Sequence, residues 1–167
     1  MSIIILPFLE EIAFRLSLKF KVLHVTLTLG VLMYYLFTKL IYQVSLSSID
    51  NHFEVRVIVS IFTILISYDI ISRLKIKSTL DRFWKKNFKW IFYFFCFTFA
   101  WMHILNHELT LKHFLLLPII TLPKLVSAMT YGYVRMHYGF LYSLGLHMFW
   151  NSFAFIQLVY FVGSGTD

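Results

Sequence analysis

The chain is poor in charge, in residues that break helices and in cysteine. Only 14% of its 167 residues are Asp, Glu, Lys or Arg, and it holds 3 Pro, 6 Gly and 1 Cys. Ordinary soluble domains carry about 25% charged residues, so the low charge excludes an ordinary water-soluble globular domain. The single cysteine, Cys96, excludes an intramolecular disulfide; it lies in an apolar run and reads as a small core residue. No stretch alternates apolar and polar residues in the short repeat of a membrane barrel, and neither internal repeats nor low-complexity segments occur. The opening Met-Ser-Ile-Ile-Ile-Leu-Pro has no basic region and reaches two carboxylates by residue 10, which does not fit a cleavable signal peptide.

Hydrocarbon takes the place of charge. Of the residues, 59% are hydrophobic, with 19 Phe, 10 Tyr and 4 Trp, and the mean hydropathy is +0.76. At ~20 apolar residues per crossing helix the length allows roughly four to six spans and no appended soluble domain. The expectation is an all-α, polytopic transmembrane helical bundle, with residues 1–167 forming one integral-membrane domain. Five apolar segments, 22–44, 55–72, 88–105, 113–130 and 138–162, are the expected spans. The opening stretch 3–18 is too short and too charged to cross alone and reads as a half-helix, its start near Pro7. Residues 45–52, 73–89, 106–108 and 131–137 are the expected loops.

The net charge is +7, from 15 Lys and Arg against 8 Asp and Glu. Basic residues flanking apolar spans are more simply explained as topology determinants and anchors to anionic lipid than as a nucleic-acid surface. They gather as Arg15, Lys19 and Lys21, then Arg73, Lys75, Lys77, Arg82, Lys85, Lys86 and Lys89, then Arg135. These groups fall at every second connection, so the positive-inside rule places 15–21, 73–89 and 131–137 in the cytoplasm of a multi-pass protein. The short loops suit a bacterial cytoplasmic membrane. The aromatic residues Phe83, Trp84, Trp90, Tyr131 and Tyr133 lie near span ends, where amphipathic rings anchor in the headgroup layer.

An ionisable residue at membrane depth costs roughly 2.5–3.5 kcal/mol on insertion scales and faces protein or a wet cavity. Three groups therefore stand out: Glu10, Glu11 and Arg15; His103; and His147 with Asn151. Residues four apart share a helix face while neighbours diverge by about 100°. Glu11 and Arg15 can thus pair as a neutralising structural unit, which leaves Glu10 as the carboxylate free for chemistry. The plainer alternative is a solvated helix start in the interfacial layer. His147 and Asn151, also four apart, present an imidazole and an amide on one face, and Phe99 can pack against the ring of His103. A lone membrane histidine is commonly a hydrogen-bonded packing element. Two histidines and a glutamate on three helices can activate water, bind a metal or relay protons.

Asp69 and Lys39 lie within capping or snorkelling reach of span ends. His24, His52, His107, His113 and His137 sit near boundaries as interfacial residues, with His107 one turn from His103. Lys124, after Pro118 and Pro123, falls inside an apolar segment without an evident role.

The ordered set Glu-Glu-x-x-x-Arg (Glu10, Glu11, Arg15), Phe-x-x-x-His (Phe99, His103) and His-x-x-x-Asn (His147, Asn151) resembles the CAAX protease and bacteriocin-processing family of intramembrane endopeptidases. The three motifs span residues 10–151. The resemblance implies a glutamate-dependent protease in which Glu10 and His103 activate water and His147 and Asn151 stabilise the oxyanion, with Glu11, Arg15 and Phe99 in support. It implies a protein or peptide substrate, lipid-modified in some relatives, and membrane lipid as surroundings. Two departures stand out. Relatives carry further membrane helices ahead of the double glutamate, and the gap from Arg15 to Phe99 holds two extra apolar segments. Some relatives are linked to immunity or scaffolding, so a non-catalytic membrane binding protein is the alternative. Proton-coupled transport would favour a larger, repeat-built chain, and haem ligation by His103 and His147 would give a visible absorbance. Glu10, His103 and His147 match the donor set of catalytic zinc, but no His-Glu-x-x-His helix occurs. The expectation is neither metal nor cofactor.

Overall fold

The computed structural model describes residues 2–103 and 116–163, whose regular elements are all helices, with no strand among them. Helices α1 (Ser2–Phe14), α2 (Val22–Leu36), α3 (Phe53–Ser72), α4 (Leu74–Lys86), α5 (Phe88–Met102), α6 (Leu117–His137) and α7 (Phe140–Gly163) follow in order. Among the described residues two helical stretches, Val22–Ile41 and Phe53–Ser72, are long and apolar enough to cross a membrane, and Phe88–Met102 is apolar but shorter. The first of these is α2 continued by a π-helical turn, Phe37–Ile41. His107, His113 and the expected loop 106–108 lie outside the described residues.

α1 occupies the centre, packed against α2, α5 and α7, while α3 covers α2 and α6 lies against α5 and α7. Ala13 and Phe14 of α1 join Leu18, Phe95, Cys96, Phe99 and Ala128 in one apolar core. Pro7 sits inside α1 rather than at its start. Its missing N–H falls within the early turns, where few intrahelical bonds are lost.

A helix end buried in protein must find donors for its last carbonyls, and the end of α1 and the 3₁₀ turn that follows it, Leu16–Leu18, do so from three other elements. The Thr28 hydroxyl of α2 donates to Ile12 O (2.7 Å), and Trp84 Nε1 of α4 donates to Ser17 O (2.9 Å). Arg135 of α6 donates from Nε to Arg15 O and from Nη2 to Leu16 O, each at 3.2 Å. A buried cation at a helix C-terminus also meets the negative end of the helix dipole. Each such bond contributes on the order of 1 kcal/mol net, and losing the donor costs more.

Two expected loops are helices. Most of the basic run 73–89 is α4, because Ile76, Leu80, Phe83 and Trp84 recur at helical spacing within it, and its last residues open α5. Residues 131–137 complete α6, since Met129, Gly132 and Met136 continue the face that meets α5. Arg135, expected as an exposed cytoplasmic charge, is buried at 5% exposure. Gly132 lies so close to Phe92 that a Cβ there would come within 2.6 Å of the ring. Gly139 turns the chain into α7 at φ +112°, a conformation that suits glycine.

The segment 45–52 straps the far end of α2 to the start of α3. Arg56, fully buried, holds it by donating to Asp50 Oδ1 (2.6 Å), Ser48 O (2.8 Å) and Thr38 Oγ1 (3.2 Å).

Candidate active site

Glu10 and Glu11 point to different sides of α1, yet one residue meets both. His147, from the middle of α7, places Nδ1 2.9 Å from Glu11 Oε1 and Nε2 3.3 Å from Glu10 Oε2. Both ring nitrogens therefore face carboxylate oxygens. Nδ1 is hydrogen-bonded to Glu11 while Nε2 lies at ion-pairing distance from Glu10, so each buried carboxylate has a polar partner within the fold. The ring is stacked on Tyr131 (centroids 4.6 Å apart, 22° between planes). The Ser143 hydroxyl, one turn earlier on α7, donates to Glu11 Oε2 at 2.6 Å.

Arg15 pairs with Glu11 as the spacing predicts, Nη1 to Oε1 at 3.5 Å. Its guanidinium is otherwise held by rings, 3.9 Å above Phe99 and 5.5 Å from Tyr131, and neither Nη makes a hydrogen bond. Cation–π attraction strengthens when the cation is dry. Phe99 thus serves two neighbours, since its other contacts include the ring of His103 at 4.6 Å.

His103 ends α5. Its Nδ1 lies 2.8 Å from Phe99 O. A carbonyl only accepts, so Nδ1 carries the proton and, in the neutral ring, Nε2 is the basic nitrogen. Glu10 and His103 line one small cavity of about 30 Å³, with Tyr35 of α2 and Lys39 of the π-helical turn after it as further polar walls and Phe14, Leu46, Phe99 and Met102 as apolar ones. That volume accommodates a water molecule, which needs two to four polar partners.

Asn151 lies one turn beyond His147, half-buried, and makes no hydrogen bond to a described residue. Neither it nor His147 lines the Glu10–His103 cavity. The expected free carboxylate, Glu10, has His147 as a partner, and the expected donor pair is divided, with both nitrogens of His147 engaged by glutamates. Lys124 is exposed on α6. Among the described residues no three His, Cys, Asp or Glu side chains are placed to hold one metal ion.

Leu46 of the strap also lines a second, larger cavity of about 420 Å³ between α1, α2 and α3, walled mainly by Leu6, Leu9, Val31, Val57, Ile61 and Ile64. Tyr35 and Ser143 are not singled out from sequence, and Tyr131, expected as a headgroup anchor, is instead buried against His147. Ser143 was within reach of such a reading, since it precedes His147 by four and so shares its face. No protein-family model, curated protein or solved structure matches the chain.

Proposed function

We propose that the chain is a multi-pass membrane endopeptidase that hydrolyses peptide bonds of a protein or peptide substrate with Glu10 and His103 as its water-activating pair. The observation that carries this reading is the water-sized cavity flanked by the Glu10 carboxylate and by His103, a ring whose Nε2 is left basic. General-base catalysis needs such a group within hydrogen-bond reach of the water. The resemblance to the CAAX protease and bacteriocin-processing family supports the same pair. His147, Glu11 and Arg15 act as positioning residues that hold the Glu10 carboxylate through a buried polar network. Asn151, whose amide bonds no described residue, offers it to the substrate one turn along α7.

The membrane setting rests on the outward face of the bundle. Ile58, Phe62 and Leu65 on α3, Phe94 and Trp101 on α5, Leu122 and Val126 on α6, and Phe149 and Ile156 on α7 are all exposed. A surface of this kind demands hydrocarbon around it. The reading has five helices crossing, α2, α3, α5, α6 and α7, with α1 as a half-helix inside them and amphipathic α4 lying at the cytoplasmic interface. The apolar cavity beside Leu46 suits a substrate with a hydrocarbon group near the scissile bond. The mechanism asks for no metal or other cofactor, and none of its steps involves nucleic acid.

The test is cleavage of a quenched peptide library by detergent-purified protein. Glu10→Ala and His103→Ala are each expected to lower cleavage by about 10²–10⁴-fold, and a chelator is expected to leave it unchanged. A folded wild type that cleaves nothing overturns the protease reading and favours a binding role, and activity that a chelator abolishes overturns the metal-free one.

A further inference from the structure

The helix α2 comes from the stretch that separates the first two motifs, yet it supplies a wall of the candidate site. Tyr35 is 4% exposed, and its hydroxyl, enclosed by protein, makes no hydrogen bond of good geometry to a described residue; its polar neighbour is the Glu10 carboxylate. A buried hydroxyl without a partner costs on the order of 1–3 kcal/mol, so such groups are uncommon unless something other than the resting fold uses them. The ring is fixed by an edge contact with Phe14 (6.1 Å, 81°). It belongs to the cavity that Glu10 and His103 share, close enough to Glu10 to feel its charge without a well-formed bond. The π-helical turn at Phe37–Ile41 follows directly, and such turns frequently mark functional sites.

Hydrolysis in this cavity needs a donor for the oxygen that becomes negative. His147 has both nitrogens turned to glutamates, and Asn151 is outside the cavity walls. We infer that Tyr35 is a further catalytic residue, whose O–H donates to the oxyanion formed when the Glu10–His103 water attacks the peptide carbonyl. In that step the water oxygen bonds to the carbonyl carbon and one water proton passes to Glu10. The C=O π pair moves onto oxygen, where the phenol donates its hydrogen bond. The C–N bond then breaks as Glu10 returns the proton to the departing nitrogen. A phenol suits the role because it donates while neutral and sits in a dry wall, where preorganised donors act most strongly. This inference rests on the protease reading above.

Tyr35→Phe removes the hydroxyl and nothing else. Its kcat on a cleaved peptide is expected to fall by about 10²–10³-fold, the usual loss for one oxyanion donor, with KM changed less than threefold. Because the hydroxyl makes no well-formed hydrogen bond to a described residue, the thermal midpoint is expected to stay the same or rise. Fluorotyrosine at position 35 serves as a second variant, and kcat is expected to vary with the acidity of the phenol. Activity of Tyr35→Phe within threefold of wild type, while Glu10→Gln and His103→Ala are inactive, overturns the Tyr35 assignment alone. A kcat loss matched by a fall in thermal midpoint, with no response to fluorination, also overturns it in favour of a structural hydroxyl. Wild-type activity in all three variants, or none in the wild type, overturns the site and Tyr35 together.

Discussion

A buried histidine between two carboxylates makes the centre of this protein an all-or-none arrangement. Glu11 meets Arg15, His147 and Ser143 together. Its removal leaves the Arg15 guanidinium inside the fold without its counter-charge and His147 Nδ1 without its hydrogen-bond partner. Breaking a buried pair in this way typically costs about 3–5 kcal/mol, so Glu11→Ala is expected to lower the unfolding free energy by about that amount in a denaturation series in detergent. Ser143→Ala removes one donor from the same carboxylate and is expected to cost about 1–2 kcal/mol. A result in which the two variants are equally mild would mean that Glu11 is reached by solvent. The pairing of Glu11 with Arg15 was legible from their spacing alone, because residues four apart on a helix must be neighbours. The bridging by His147 was not, since it joins positions 136 apart in the chain. Tyr35 was illegible for a different reason: in an apolar segment rich in aromatics its hydroxyl carries no local signal, and only the packing around it leaves that hydroxyl without a well-formed hydrogen bond to a described residue.

Helices here meet where side chains are small or missing. Gly30 brings α2 against α3 so closely that an added Cβ would collide with the Ile64 side chain and come within 3.1 Å of Ser60 O. The backbone oxygen cannot rotate away as a side chain can. Gly30→Leu is therefore expected to cost at least about 1–3 kcal/mol through overpacking, and to open the apolar cavity that Gly30 also lines. Thermal unfolding of the variant in detergent checks this; an unchanged midpoint would mean that the α2–α3 contact contributes little to the fold. The strap 45–52 depends on the same pair of helices, since Arg56 of α3 holds Asp50 and Ser48 while Thr38 of α2 supports its guanidinium. Helical periodicity made most of these elements readable. Residues 73–89 and 131–137 read as loops because charge and aromatic content outweighed periodicity in that reading, yet the 3.6-residue spacing of Ile76, Leu80 and Phe83 was present in α4.

Taken together, the helices set a direction for the molecule. α2 and α3 run antiparallel, so the strap 45–52 lies at one end and the basic helix α4 at the other. α3 has 20 residues, which at 1.5 Å per residue span roughly 30 Å, the thickness of a bilayer core. In the orientation proposed above, with the basic segments in the cytoplasm, a cysteine at position 77, in a Cys96→Ser background, is expected to react with a membrane-impermeant thiol reagent only after permeabilisation, and one at position 48 on intact cells. Reaction of both from one side would mean that α3 does not cross. His103 ends α5, about 22 Å along that helix from α4, and Leu46 of the strap closes the same cavity, so the candidate site sits towards the end opposite the basic helix. Composition and spacing alone established an all-helical, strongly apolar chain and the short-range pairing of Glu11 with Arg15, because helix formation and neighbouring turns depend on residues a few positions apart. Packing alone decided that Arg135 caps α1 across 120 residues, that His147 spans both glutamates, and that Tyr35 enters the cavity of Glu10 and His103. Those contacts arise from how buried polar groups find partners once hydrocarbon has closed around them, and no local pattern encodes that partner search.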